Sequence, residues 1–311
     1  MTDIKKLAQQ MRDRLNVEAG GKIAKNLTTT EELLQVTSWV EMGSYFKSAA
    51  GGPGWPSGHI SQIIGESDTG KTTLLMNGMI STQKSGGICF LIDSEHKFSF
   101  DRFRVMGGIP EDIVVISVDT LEDSWNAWTL VCTQVATIRP KNPDVPIFCA
   151  WDSVCAAPPQ ALLDADAEDH HVSVEAKMNN KEIRKLRQRI RELNITAVFI
   201  NHSYMTMPKF GIPKEVIKGG SEMYFMSTLI LKTKRRAWLD RTVKGMKQRY
   251  GTHSFLEVFK GHLGGKRNTT EFFIVEQGIL EDRAALKAHN AEQGIEAAGM
   301  TLDNSDDGVD E

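Results

Sequence analysis

From about residue 60 onward, apolar residues come in short unbroken runs, and the stretches between them carry helical spacing. The runs His59–Ile64, Ile88–Ile92, Ile113–Ile116, Pro146–Trp151 and Thr196–Ile200 have the length of strands. Their apolarity is continuous rather than alternating, which predicts strands covered on both faces and therefore a parallel sheet between helices. Thr73–Ile80 reads as the first of those helices. Three later runs, Met223–Leu231, Phe255–Phe259 and Phe272–Val275, follow one another without long helices between them, and predict an antiparallel extension of the sheet. Ile4, Leu7, Met11 and Leu15 share one stripe of a helix, residues 16–30 are linker-like, and Thr30–Leu34 reads as a helix start. Residues 50–58, rich in Gly and Pro, form a turn cluster. The expected fold class is α/β, a mostly parallel central sheet with an antiparallel extension and a short N-terminal helical segment. The expected organisation is an N-terminal helix and linker over 1–49 serving oligomerisation, a core over 50–282, and a C-terminal segment over 283–311 whose last ten or so residues read as disordered.

Composition adds little beyond class. Apolar content of 41% and charged content of 25% are those of a soluble globular protein. No apolar run reaches the roughly 18 residues of a membrane span, and the charged N-terminus lacks a signal peptide's apolar core. Cys89, Cys132, Cys149 and Cys155 have no metal-ligand spacing and read as free thiols of a reducing cytoplasm. The net charge of −3 argues against a nucleic-acid binder until its distribution is examined. Seven acids and no Lys or Arg follow Lys287, so an acidic tail is attached to a net-positive body.

The chemistry is concentrated at the end of the first core strand. Gly65-Glu66-Ser67-Asp68-Thr69-Gly70-Lys71-Thr72, followed by Thr73, fits the loop that wraps nucleotide phosphates, in the strand–loop–helix context that loop requires. Gly65 and Gly70 allow backbone amides to turn inward, and the helix N-terminus faces the same anion. Lys71 supplies a cation for the β and γ phosphates, and the Thr72 hydroxyl a ligand for Mg²⁺. Asp152 closes an apolar run and suits the second metal-directed position. Glu95, at the carboxyl edge of another strand, is the candidate for polarising an attacking water. ATP and Mg²⁺ are the expected cofactors.

Around these residues the chain resembles the RecA-type recombinases, and among them the phage UvsX recombinases. Ile92-Asp93-Ser94-Glu95-His96, Trp151-Asp152-Ser153-Val154, Phe199-Ile200-Asn201-His202 and Gly219-Gly220 stand in the order and at the spacing of that family's landmarks, over residues 50–280. The resemblance implies a RecA-like P-loop NTPase core and a DNA-dependent ATPase that forms helical filaments on single-stranded DNA and pairs it with homologous duplex. Mediator and single-strand-binding proteins would be accessory partners. Glu95 is implied as the catalytic carboxylate and His202 as the γ-phosphate sensor. Residues 203–218 are implied as a DNA-binding loop, with Lys209, Lys214 and Lys218 for phosphates, Tyr204 and Phe210 for bases, and Gly219 and Gly220 at its exit. Residues 157–172 correspond to a first DNA loop, whose acids Asp164, Asp166, Glu168 and Asp169 suit phosphate poorly; Lys177 follows at a basic contact position. Arg102 or Phe103 stands near the family's base-stacking position. Lys260 and His262 occupy the place of two cations donated to a neighbouring protomer's nucleotide. The N-terminal stripe resembles the helix that docks on the next protomer, and the large C-terminal domain of bacterial RecA is expected to be lacking.

Residues 232–249 hold eight basic residues, among them Arg235 and Arg236, and a single acid, Asp240. A solvated basic hairpin and a nucleic-acid contact, such as capture of a second duplex, are both open readings. Two other functions share the nucleotide motifs: a ring-forming hexameric helicase, and a regulatory ATPase that does not grip DNA.

Overall fold

The computed structural model describes residues 9–11, 13–15, 17, 36–164, 174–206, 212–262, 268–295 and 299–302. The chain divides into two units, Met1–Thr37 and Ser38–Glu311. In the first, residues 9–11, 13–15 and 17 are helical. Ile4, Leu7, the helix start expected at 30–34 and the acidic end from residue 303 lie outside the described residues.

The second unit carries the strands β1 (Trp39–Glu41), β2 (Gly54–Pro56), β3 (Ile60–Gly65), β4 (Ile88–Asp93), β5 (Ile113–Ser117), β6 (Ile147–Asp152), β7 (Ile195–Ile200), β8 (Ser203–Met205), β9 (Glu215–Ile217), β10 (Leu229–Val243), β11 (Met246–Gly261), β12 (Thr269–Val275), β13 (Gly278–Leu280) and β14 (Gly299–Leu302). Its helices are α1 (Ser44–Ala50), α2 (Lys71–Lys84), α3 (Phe100–Val105), α4 (Leu121–Ile138), α5 (Gln160–Leu163), α6 (Val174–Glu192), α7 (Ser221–Met226) and α8 (Arg283–Glu292). The main sheet runs β13-β12-β11-β10-β3-β7-β6-β4-β5, with β14 also paired to β10. From β10 through β5 neighbouring strands are parallel, and from β10 to β13 they are antiparallel.

The five apolar runs of the sequence are β3 to β7. Every residue of β3, β6 and β7 is buried, as strands covered on both faces require. The edge strand β5 departs from this: it ends the sheet order, pairing with β4, and Val114 and Val115 are exposed. One face of the sheet is closed by α4 and α6 through Trp125, Trp128, Ile183, Leu186 and Ile190. At its centre Trp151 meets Trp125 edge-on at 5.1 Å and Phe199 at 5.4 Å.

The late segment is built differently from the expectation of continuous strand over Met223–Leu231. Ser221–Met226 is the helix α7, and β10 begins at Leu229 and pairs in parallel with β3. A buried side chain ends the helix: Gln62 Nε2 donates to the Met223 carbonyl at 2.6 Å and to Ser227 Oγ at 2.7 Å. The antiparallel extension starts only at β11. The basic segment 232–249 is a long hairpin of β10 and β11 whose turn, Lys244-Gly245, has φ of 52° and 76°. Two consecutive positive φ values suit the right-handed twist of a two-residue hairpin, and glycine supplies the second without strain.

Replacing the fully buried Trp151 by Ala removes the ring that α4 and β7 pack against. Chemical denaturation is expected to show a loss of about 3–5 kcal/mol of unfolding free energy.

Candidate nucleotide site and nucleic-acid interface

Parallel strands end together, so β3, β4, β6 and β7 deliver their last residues to one crevice. Asp93 lies opposite Asp152 in register, and the Asn201 amide donates to the Ile63 carbonyl at 2.9 Å. This common edge opens into a cleft of about 1150 Å³. Ser67, Asp68, Gly70, Lys71, Thr72, Thr73, Glu95, Arg102, Asp152 and His202 all line it. Gly65, Glu66 and Thr69 are not among the lining residues; Gly65 and Thr69 are buried and Glu66 is exposed.

The loop between β3 and α2 has an anion cradle's shape. Gly70 takes φ 101° at the start of α2, no side chain caps that helix, and no acid sits in its first turn. Its first amides therefore face the cleft, together with the positive end of the helix. Lys71 is buried, and its Nζ donates to the Gly65 and Glu66 carbonyls at 2.9 and 2.6 Å. Burial lowers its pKa; Asp152 and Glu95 act in the opposite sense.

Across the cleft sits a group of carboxylates. Thr72 donates from Oγ1 to Asp152 Oδ2 at 3.1 Å. Ser153 donates from Oγ to Glu95 Oε1 at 2.6 Å, and Ser94 to the Ser153 carbonyl at 2.7 Å. Asp93 accepts from the His96 amide at 2.8 Å. Burial, reinforced by Glu95, pushes the Asp152 carboxyl up to about 7. An all-oxygen set of one hydroxyl and crowded, under-neutralised carboxylates fits Mg²⁺, which takes one or two carboxylates and completes its shell with phosphates and water. Among the described residues, no group of three or more His, Cys, Asp or Glu is placed to hold a metal ion.

His202 follows β7. Burial, with the Lys71 charge, holds its pKa below the usual imidazole value, so the ring is neutral at pH 7. Its carbonyl accepts from the Lys218 amide at 2.9 Å. That bond closes the base of 203–218, where β8 and β9 pair from Ser203↔Ile217 to Met205↔Glu215. Asn201 ties the same junction, with Nδ2 donating to Gln62 Oε1 at 2.9 Å and to the Lys218 carbonyl at 3.2 Å. Tyr204 and Lys214 are exposed on this ribbon, Gly219 and Gly220 leave it with φ of 85° and 103°, and Lys209 and Phe210 lie outside the described residues. Of the first loop, 165–173 lies outside them as well. Lys177 is exposed on α6, in a groove of about 630 Å³ shared with Trp125 and Met178.

Arg102 and Phe103 are separated by the fold. Arg102 reaches across the cleft, with Nη2 donating to the Val275 carbonyl at 3.1 Å, whereas Phe103 is fully buried beside Phe98. Lys260 is not in its own chain's cleft. It is buried against α7, donates to the Tyr224 and Phe225 carbonyls at 2.6 and 3.1 Å, and its pKa is lowered by burial to about 8. His262 is exposed just beyond, with its amide on the Thr228 carbonyl at 3.1 Å. Arg235 turns toward the phosphate loop and lies over the Trp238 ring; Arg236 approaches Phe255 at 5.8 Å. Sequence reasoning missed Ser94, Ser153 and Asp93 as supports of the carboxylates, although all three lie in quoted motifs; it missed Thr233, 164 residues from its partner Thr69, because no local pattern marks it.

A carboxyl whose folded pKa lies above its unfolded value near 4 stabilises the fold while protonated. Without nucleotide and metal, the contribution of Asp152 is therefore present below pH 4 and lost as pH rises through about 7. Thermal melts from pH 5 to 8 are expected to show this decline, and Asp152→Asn to flatten it.

Comparison with known proteins bears on this geometry. Residues 12–279 match the RecA N-terminal domain family. The Protein RecA of Leptospira meyeri is 30% identical over 239 residues, which is 76% of this chain and 58% of that protein. Those of Trichodesmium erythraeum (strain IMS101) and Teredinibacter turnerae (strain ATCC 39867 / T7901) are 28% and 29% identical, over 76% and 73% of this chain and 62% and 63% of theirs. The chain thus spans about six tenths of the length of these relatives. A family match over most of the chain, with the phosphate loop, paired carboxylates and His202 gathered in one cleft, places this protein in the RecA N-terminal domain family.

Proposed function

We propose that this chain is an ATP-dependent DNA recombinase of compact, phage-like type, which assembles on single-stranded DNA, pairs that strand with homologous duplex and hydrolyses ATP to release it. The observation that carries the reading is the direct connection of the cleft to the ribbon 203–218: His202 lines one, and its carbonyl holds Lys218 of the other. A cleft that only hydrolysed nucleotide would not require that junction.

The chain's own residues divide the work. The loop amides and Lys71 bind the phosphates, for which Lys71 exchanges the Gly65 and Glu66 carbonyls. Thr72 and Asp152 would hold Mg²⁺, which when bound supplies neutralising charge to the phosphates. Glu95, oriented by Ser153, takes the proton of the attacking water. The neutral His202 ring donates to the terminal phosphate and biases the ribbon between two arrangements, as switch segments do. Arg102 lies at the base end of the cleft. Lys260, freed from α7, and His262 serve a neighbouring protomer in a filament. Lys209, Lys214, Lys218 and Lys177 meet DNA phosphates, Tyr204 and Phe210 lie against bases, Gly219 and Gly220 let the ribbon move, and Arg236 faces a second duplex.

Hydrolysis is expected to be stimulated by single-stranded DNA, and electron microscopy with a non-hydrolysable ATP analogue to show open helical filaments; closed rings, or no assembly at low and moderate salt, would overturn the reading. Glu95→Gln is expected to lower the hydrolysis rate by at least about 100-fold while nucleotide affinity stays within a few-fold. Normal turnover in that variant would remove Glu95 from its role.

A further inference from the structure

The phosphate loop is braced from outside itself, by the strand that becomes the basic hairpin. Thr233 lies opposite Gly65 in the parallel register of β10 and β3. Its Oγ1 is 2.7 Å from Thr69 Oγ1, and both residues are buried. A hydroxyl has one proton, and that of Thr69 is donated to the Glu66 carbonyl at 2.8 Å. The Thr233 hydroxyl has two acceptors within reach, Thr69 Oγ1 at 2.7 Å and the Ile64 carbonyl at 3.3 Å; with the Thr69 proton on the Glu66 carbonyl, donation to the nearer Thr69 oxygen completes the pair. The Glu66 carbonyl is the oxygen on which Lys71 also rests. Two residues further along β10, Arg235 Nη1 donates to the Asp68 carbonyl at 3.4 Å, and its guanidinium lies 4.3 Å from the centre of the Trp238 ring.

This chain of bonds matters at the moment of binding. When phosphate draws Lys71 away, the Glu66 carbonyl keeps the Thr69 hydroxyl as its donor among the described residues, and Thr233 holds that hydroxyl in place. A loop ordered before binding loses less entropy on binding. We propose that Thr233, assisted by Arg235, is a positioning residue for the nucleotide: it fixes the phosphate loop in its anion-binding shape through Thr69 and the Glu66 carbonyl. The proposal rests on the nucleotide reading of the cleft, and it assigns Arg235 to the loop, leaving the hairpin's contact with a second duplex to Arg236.

The test compares Thr233→Val, which keeps the shape and removes the donor, with Thr233→Ser, which keeps the donor. Affinity for a fluorescent ADP analogue is measured with Mg²⁺ and without DNA, and the KM and kcat of ATP hydrolysis alongside. The valine variant is expected to bind about fivefold more weakly and to raise KM by a similar factor, with kcat within twofold, the pattern of an interaction made equally in ground and transition states. The serine variant is expected to restore wild-type affinity. Arg235→Gln, on the surface, gives a second reading independent of core packing and is expected to weaken binding about twofold. Unchanged affinity in the valine variant, or a serine variant no better than valine, would overturn the proposal. Should the valine variant not fold, wild-type affinity in Arg235→Gln or loss of affinity in Thr233→Ser would overturn it. A wild-type chain that binds no adenine nucleotide would instead overturn the reading of the cleft itself.

Discussion

Lys71 is a buried ammonium facing more carboxylate than it can neutralise. Asp152, Glu95 and Asp93 converge at the carboxyl ends of β4 and β6, and the lysine offsets only part of their repulsion. The cost appears in the two shifts, an acid raised to about 7 and a lysine lowered. Such a pocket is unfavourable as it stands and becomes favourable when a divalent cation and a polyphosphate arrive together, each supplying the charge the other lacks. Much of the surrounding structure serves that balance: Thr72 and Ser153 hold the carboxylates, and Gly65 and Glu66 offer carbonyls where the ammonium rests.

Two elements connect this pocket to the surface beyond it, by physically different routes. One is polar and local. His202 and Asn201 tie the end of β7 to Lys218, so the strand end is bonded to both ends of the ribbon 203–218. The other is the continuous strand β10, which braces the phosphate loop at its base and bears the hairpin's basic side chains beyond. Lys232 links the two, bonding Glu215 at 2.6 Å on the ribbon's returning strand. Within the hairpin, buried Asp240 engages Lys247 at 3.1 Å, and Trp238 lies against the guanidiniums of both Arg235 and Arg249. A good share of its positive charge is thus held in fixed geometry rather than on free side chains.

The parts of this fold legible in the sequence were those whose cause is local. Buried parallel strands need unbroken apolar runs, so β3, β4, β6 and β7 announced themselves, as did the phosphate loop with its two glycines. What escaped has causes distant in the chain. Met223–Met226 is helix rather than strand, and the contact made by its Met223 carbonyl is with Gln62, a buried amide 161 residues away. Adjacent Arg102 and Phe103 cannot be told apart by position, yet the roughly 100° between consecutive helix positions sends the ring into the core and the guanidinium into the cleft. Arg235 read as one cation in a basic run, but the parallel pairing of β10 with β3 brings it over the phosphate loop.

The central claim is that the terminal phosphate of the nucleotide, read through His202, sets the state of the segment 203–218. Hydrogen exchange of its backbone amides, followed with ADP and with a non-hydrolysable ATP analogue in the absence of DNA, tests this most directly. The account predicts that protection of Lys218 and of the β8–β9 amides differs between the two nucleotides, and that His202→Ala abolishes the difference while both still bind. Identical exchange with either nucleotide in the wild-type chain would contradict it.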